Sequence, residues 1–481
     1  MATILFLRYL WHLLLSFISP LATVLYRISF LFILMLIAFY ALVFNGQAND
    51  LFVAFAEDYR SGTYMFLFTI ALILWANTVW LSSRIIFIIS GLKPDYSYLT
   101  NELAAFDRRL PDKSVLETRI KKLMVWVPRS LCAITYIIIV VAYFKANGFT
   151  SFRWYPLVVI ATGALHVFYL YKRSYFLSKF INGFDKTKYY TIREGLTESG
   201  LKVLLKSPYF RIETWISLII DALLLVGLMF IPDLRYFLRA GTIILIAFAT
   251  YSFISLIIDW KGNRWQIPII PFFLLLFFGF GIWNNNHRIY DMGVQSATEV
   301  NNRKPDSAYF REWLNYKISN RVFDTGKSSI PVYLIASEGG GSRACYWTTT
   351  LLTRLHQSVP SLYDHTFAAS GVSGGNVGLG LFYTSLANEN QKKDSAIFSA
   401  DSLRNINLMA AEDFLSNVTY AFVGPDMLQR FLPVPVEFNK SKFTTDRGKY
   451  LSSSFNKAFN KYYKQAGITV NSSFLKMWQD K

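Results

Sequence analysis

The chain has 481 residues, 53% hydrophobic and 17% charged, with a mean hydropathy of +0.30; this excludes an ordinary soluble globule and suits a membrane protein carrying a soluble part. The net charge of +18 does not point to nucleic acid, because the basic residues crowd into loops beside apolar runs, where they face anionic lipid headgroups. Two cysteines, Cys132 in an apolar run and Cys345 in the polar half, make no disulfide framework.

In chain order, Ile4–Tyr26 is apolar but carries Arg8, His12 and Pro20. With no small-residue cleavage site before the next span, it reads as an interfacial helix rather than a signal peptide. Seven stretches then approach the roughly 20 residues that cross a bilayer: Ile28–Phe44, Tyr64–Leu81, Leu123–Phe144, Trp154–Tyr171, Trp215–Ile231, Ala240–Ile258 and Ile267–Trp283. Pro128 and Arg129 interrupt the third. The segments Leu81–Leu131 and Tyr171–Glu213 each hold nine Lys/Arg, against one or two in the alternate loops. The positive-inside rule therefore places both in the cytoplasm. Three further crossings would leave everything after Trp283 outside, giving an extracytoplasmic C-terminal domain.

Asp221 lies in the middle of WISLIIDALLLVGLMF, where an unpaired carboxylate is costly. A paired or protonated Asp that joins two helices is the favoured reading, with a relay role as the rival. His166 reads as packing. No internal repeat and no pair of broken helices argues for transport.

Residues 284–329 read as a polar linker, and 330–481 as one α/β domain. The run Val332–Ala336 predicts a strand, SEGGGSRA a loop, and CYWTTTLLTRLHQS a helix marked by Trp347, Leu351, Leu352 and Leu355. HTFAAS then predicts a second strand, GVSGG a turn, and Asn376–Leu386 a second helix. Strand–loop–helix twice over implies a mainly parallel sheet.

Ser373 stands between Gly371 and Gly375 at the second strand-to-helix turn. A nucleophile elbow has this arrangement, because flanking glycines leave room for a strained turn that lifts the hydroxyl above the sheet. Gly339, Gly340, Gly341, Ser342 and Arg343 follow the first strand and open a helix. Backbone amides there can point at developing negative charge, as acyl transfer requires. A phosphate cradle would need Gly-Lys-Ser/Thr at the end of the loop, and a dinucleotide site the full G-x-G-x-x-G spacing; both fail. No metal-ligand cluster is visible, so no cofactor is implied.

GGGSRA followed by GVSGG resembles the patatin-like phospholipase family. The resemblance covers roughly residues 330–450, including DFLSNVTYAFVGPDMLQRFLPVPVEF and DRGKYLSSSF, which are similar to a block in large bacterial membrane proteins of that family. It implies Ser373 as the nucleophile of a Ser–Asp dyad and Gly339–Arg343 as the oxyanion loop, with Ala344 replacing the usual final Gly. Membrane lipids are the implied substrate, and the bacterial inner (cytoplasmic) membrane the implied location. The family's Asp lies in a downstream D-G motif. Here the later Asp residues are Asp394, Asp401, Asp413, Asp426, Asp446 and Asp480, none followed by Gly. Asp413 and Asp446 read as structural. His356 and His365 precede the serine, whereas a triad His would follow it, so both read as surface or capping residues. Two functions are therefore expected to compete: a lipid acyl hydrolase whose dyad Asp lies beyond Lys481, and a membrane scaffold or channel-like protein with a degenerate domain.

Overall fold

The computed structural model describes residues 20–22, 24–57, 62–90, 113–148, 154–180, 208–265, 269–283, 304–320, 323, 326, 329–391, 399–434, 436–438, 443–444 and 446–463. Most of Ile4–Tyr26, much of both basic loops and all of 284–303 lie outside them. The chain divides into two compact units, one of 1–284 with 419–445 and the other of 285–418 with 446–481.

The first unit is helical: α1 (Ser29–Val43), α2 (Gly46–Glu57), α3 (Gly62–Ser90), α4 (Lys113–Asn147), α5 (Trp154–Phe180), α6 (Pro208–Phe230), α7 (Pro232–Trp265) and α8 (Ile269–Trp283). Among the described residues, five stretches are long and apolar enough to cross a membrane, within α3 to α7, or six if the sharply bent pair Pro20–Arg27 and Ser29–Val43 counts as one. Several long apolar helices of this kind are compatible with an integral membrane protein. Seven were expected; the first and last of them correspond to α1 and α8. α1 and α8 have 15 residues each, about 22 Å of helix against a hydrocarbon core of about 30 Å. Counted from the second basic loop, crossings by α6 and α7 would return the chain to the side on which that loop lies. The expected outside position after Trp283 therefore requires α8 to add a crossing.

Pro128 does not break the third expected span, because α4 runs unbroken through it. Arg129 lies 5.5 Å from the Trp126 ring centroid and 5.4 Å from that of Tyr171, so aromatic faces accompany its charge. α3 and α7 pack through a stacked Trp75–Phe248 pair with centroids 5.3 Å apart. α7 turns sharply at Arg239 (φ +67°), whose guanidinium donates to the Tyr64 hydroxyl over 3.0 Å.

Several buried polar groups inside this unit have partners, as burial favours. Thr250 Oγ1 donates to Asp221 Oδ1 over 3.1 Å and so links α6 to α7, which agrees with the helix-joining reading. The Tyr136 hydroxyl and His166 Nδ1 are 2.8 Å apart, a packed position for the histidine. Hydropathy alone does not flag Asp259. Its carboxylate accepts from the N–H groups of Phe30 (3.2 Å) and Leu31 (3.4 Å) at the start of α1, where the helix dipole favours a negative charge.

In the second unit, residues expected to be linker form α9 (Asp306–Ser319). Its Tyr309, Phe310 and Trp313 pack on the Phe367 ring, with centroids 5.0–6.0 Å apart. β1 (Tyr333–Ser337) leads through the glycine loop to α10 (Gly341–Ser358) and the single turn α11 (Leu362–His365). β2 (Thr366–Gly371) leads to α12 (Gly374–Gln391), then α13 (Ala400–Ala410). α14 (Leu415–Ala421) starts in this unit and passes to the first, followed there by a π-helical turn (Phe422–Asp426), α15 (Met427–Gln429) and the short antiparallel pair β3 (Glu437–Phe438) and β4 (Phe443–Thr444). α16 (Arg447–Tyr462) closes the second unit.

β1 and β2 pair in parallel, Leu334 opposite Ala368 and Ser337 opposite Gly371. The twice-repeated strand–loop–helix is present, but among the described residues the parallel sheet has two strands rather than a full α/β sheet. Ile335 faces a core that includes Leu352, Leu379, Phe382, Ile406, Met409 and Phe459. The opposite face is open, with Leu334 72% exposed, although parallel strands are normally covered on both sides.

Candidate functional site

Ser373 falls between the last residue of β2 and the first of α12. Its φ is +51°, a left-handed conformation that costs an ordinary L-residue roughly 1–2 kcal/mol. A sharp, strained strand-to-helix turn of this kind leaves the residue at its tip outward. The turn is held by three backbone hydrogen bonds. Val372 N–H donates to Ser337 O (3.0 Å), Gly375 N–H to Val372 O (3.0 Å), and Val377 N–H to Ser373 O (3.2 Å). The side chain of Ser373 is exposed.

The second expected glycine matters for space rather than torsion. A Cβ on Gly375 would lie 2.5 Å from Ser337 Oγ and 2.9 Å from Ser337 O and would overlap Glu338 O. A Cβ on Gly371 would meet Asn376 N and Cα at 2.7 Å. Both expected elbow glycines are thus places where backbone meets backbone.

The glycine loop lies beside this turn. A Cβ on Gly339 would be 3.3 Å from Ser373 Cβ. Gly340 and Gly341 have φ of +153° and +62°, which L side chains rarely adopt. They swing the chain into the 18-residue α10, whose N-cap Gly340 offers no side-chain cap. The N–H groups of a first helical turn have no acceptor within the helix and carry its positive dipole end. Ser342 and Arg343 sit in that first turn and are exposed. The structure therefore brings Ser373 and the loop Gly339–Arg343 together. A hydroxyl on a strained turn beside a helix start can attack a carbonyl whose oxygen the amides of that first turn would receive.

Of the four residues whose spacing marks α10, only Leu352 is buried. Trp347, Leu351 and Leu355 are exposed. Cys345 is buried on the inner face, and burial pushes its thiol up to about 11, so it stays a protonated core residue near pH 7. Ser337 Oγ and Thr348 Oγ1 share a hydrogen bond of 2.5 Å behind the loop.

The histidines and carboxylates have other work. His356 was expected near the surface but is 2% exposed in α10, on the same inner face as Leu352. His365 Nδ1 is 2.7 Å from Pro331 O, and its ring packs on Phe323 with centroids 4.6 Å apart. Asp413 accepts from the N–H groups of Leu415 (3.0 Å) and Ser416 (2.9 Å) and from the Ser416 hydroxyl. Asp446 caps α16 by accepting from Gly448 N–H over 2.8 Å. Lys317 pairs with Asp364 at 3.1 Å. Asp394 and Asp480 lie outside the described residues. Among the described residues, no carboxylate or imidazole is hydrogen-bonded to the Ser373 hydroxyl, and no group of His, Cys, Asp and Glu could hold a metal ion.

Comparison with known proteins yields no family model, no curated protein and no solved structure that matches the chain.

Proposed function

We propose that the protein is an integral-membrane serine acyl-ester hydrolase of the patatin-like type, acting on membrane lipids. One observation carries the reading: Ser373, at φ +51°, stands against Gly339 at the uncapped start of α10. In the reaction, Ser373 Oγ forms a bond to the ester carbonyl carbon as its proton passes to a base. The N–H groups of the glycine loop receive the oxyanion, the alcohol leaves, and water then releases the acid. A long-chain ester is the substrate class that suits a chain with several membrane-length helices. The bacterial inner membrane remains the proposed location.

A catalytically silent membrane scaffold is the second reading, favoured by the employment of Asp413 and Asp446 as helix caps. A fluorophosphonate probe applied to the chain in membranes, and to a form extended to a downstream D-G motif, separates the two. The hydrolase reading expects labelling at Ser373 in the extended form, lost in Ser373→Ala. Labelling in Gly340→Val should fall by about 100- to 1,000-fold, the usual cost of an oxyanion donor. No labelling of either form would leave the scaffold.

A further inference from the structure

Between Val418 and Asp446 the chain leaves the unit that carries Ser373 and packs within the helical unit. Three contacts fix where. The Tyr251 hydroxyl donates to Val423 O. The ring of Phe431 lies 5.8 Å from both Phe273 and Phe277 of α8. The Arg235 guanidinium sits 4.0 Å over the Tyr420 ring while donating to Leu228 O (2.6 Å) and Met229 O (2.9 Å).

Tyr251 stands near the middle of the straight arm of α7, about 18 Å along the axis from the turn at Arg239. A partner bonded to it lies at mid-span rather than at a helix end. The segment is also built as bilayer depth requires, with its irregular backbone paired inside the protein. Pro425 lies inside the π-helical turn, where it lacks a backbone donor, and the Val423 carbonyl nearby accepts from the Tyr251 hydroxyl. At the end of α15, the buried Gln429 side chain donates to Leu432 O (3.3 Å) and Val434 O (2.8 Å) and accepts from Val436 N–H (3.2 Å). One amide thus closes the turn.

The outward positions are apolar: Phe422 is 50%, Leu428 51% and Val434 61% exposed. On α8, whose Phe273 and Phe277 pack on Phe431, Phe272, Leu275 and Phe278 are also exposed. Large apolar side chains on a segment held at mid-span have hydrocarbon as their natural solvent.

We propose that residues 419–434 form a re-entrant segment embedded in the bilayer, with Phe422, Leu428 and Val434 facing lipid acyl chains. This rests on the membrane reading of the first unit and is independent of any hydrolase activity.

The test uses the full chain in phosphatidylcholine vesicles with a fluorophore on single cysteines replacing Phe422, Leu428 or Val434. The buried native Cys132 and Cys345 stay in place, with the parent protein as the labelling blank. Ser452→Cys, on the exposed face of α16, is the aqueous reference. Nitroxide-labelled lipid should quench the three sites at least about threefold more than the reference, and iodide should quench only the reference. Iodide quenching at Phe422→Cys and Leu428→Cys would overturn the proposal by placing the segment in water. Protection from both quenchers would overturn it by showing a protein-covered face. A diazirine phospholipid applied to the unsubstituted protein gives the same answer without variants: adducts should map to 419–434, and their absence there, with adducts on α6, would refute it.

Discussion

The Cα of Gly374 faces the carbonyl oxygen of Gly341 so closely that a Cβ there would overlap the oxygen outright. The turn that follows β2 and the helix start that follows β1 are thereby locked together by backbone alone. Neither hydrophobic pattern nor strand register could bring a hydroxyl and a row of amides this near. The missing side chains do it.

Gly375→Ala should therefore destabilise the second unit by about 1–3 kcal/mol or more, the usual cost of overpacking, because its Cβ would meet fixed backbone at Ser337 and Glu338. Gly380→Ala, in the same helix with nothing within 4 Å, should be neutral or gain up to about 1 kcal/mol from helix propensity. Denaturant unfolding of the two variants checks this. Equal effects would refute the close approach.

Ser373 holds its left-handed conformation against the ordinary preference of an L-residue. Ser373→Gly should be more stable than Ser373→Ala by about 1 kcal/mol, since only glycine relieves the torsion. The reverse order in thermal unfolding would mean that the turn relaxes to a negative φ.

Asp446→Ala and Asp413→Ala should each cost about 1 kcal/mol as lost caps. Asp446→Asn should recover most of that loss, because an amide oxygen still accepts from Gly448 N–H. Fluorophosphonate labelling at Ser373 should be the same in Asp446→Asn as in the parent. Its selective loss there would make Asp446 the base.

Crossings by α6 and α7 would place the chain after Gly262 on the side of the basic loops. Reporters fused after Asp185 and after Lys481 should both report cytoplasm. Opposite readings would show that α8 spans despite its 15 residues and would restore an extracytoplasmic domain.

The Cys345 thiol is held protonated by burial, with its folded value raised to about 11. Its raised value means the folded state keeps a proton that the unfolded chain loses near pH 8.5. That contribution to stability is whole below about pH 8.5 and declines as pH rises towards 11. Stability measured from pH 8 to 11 should fall less steeply in Cys345→Ala than in the parent. Parallel slopes would show that the thiol is open to solvent.

Much of the protein was legible in the sequence, because its signals are local. Apolar runs marked most of the membrane-length helices, and glycine clusters after β-rich runs marked both strand-to-helix turns, with Ser373 at the second. The span count came out differently because hydropathy measures composition, whereas crossing depends on where a helix starts and stops. The described parts of α1 and α8 have 15 residues each. Tertiary structure alone decided that Asp259 holds the start of α1, that His356 is core, and that α9 packs its aromatic face on Phe367. It alone returned residues 419–434 to the helical unit. Those outcomes depend on partners tens to hundreds of residues away, and a carboxylate or an aromatic ring carries no mark in sequence of the group that will satisfy it.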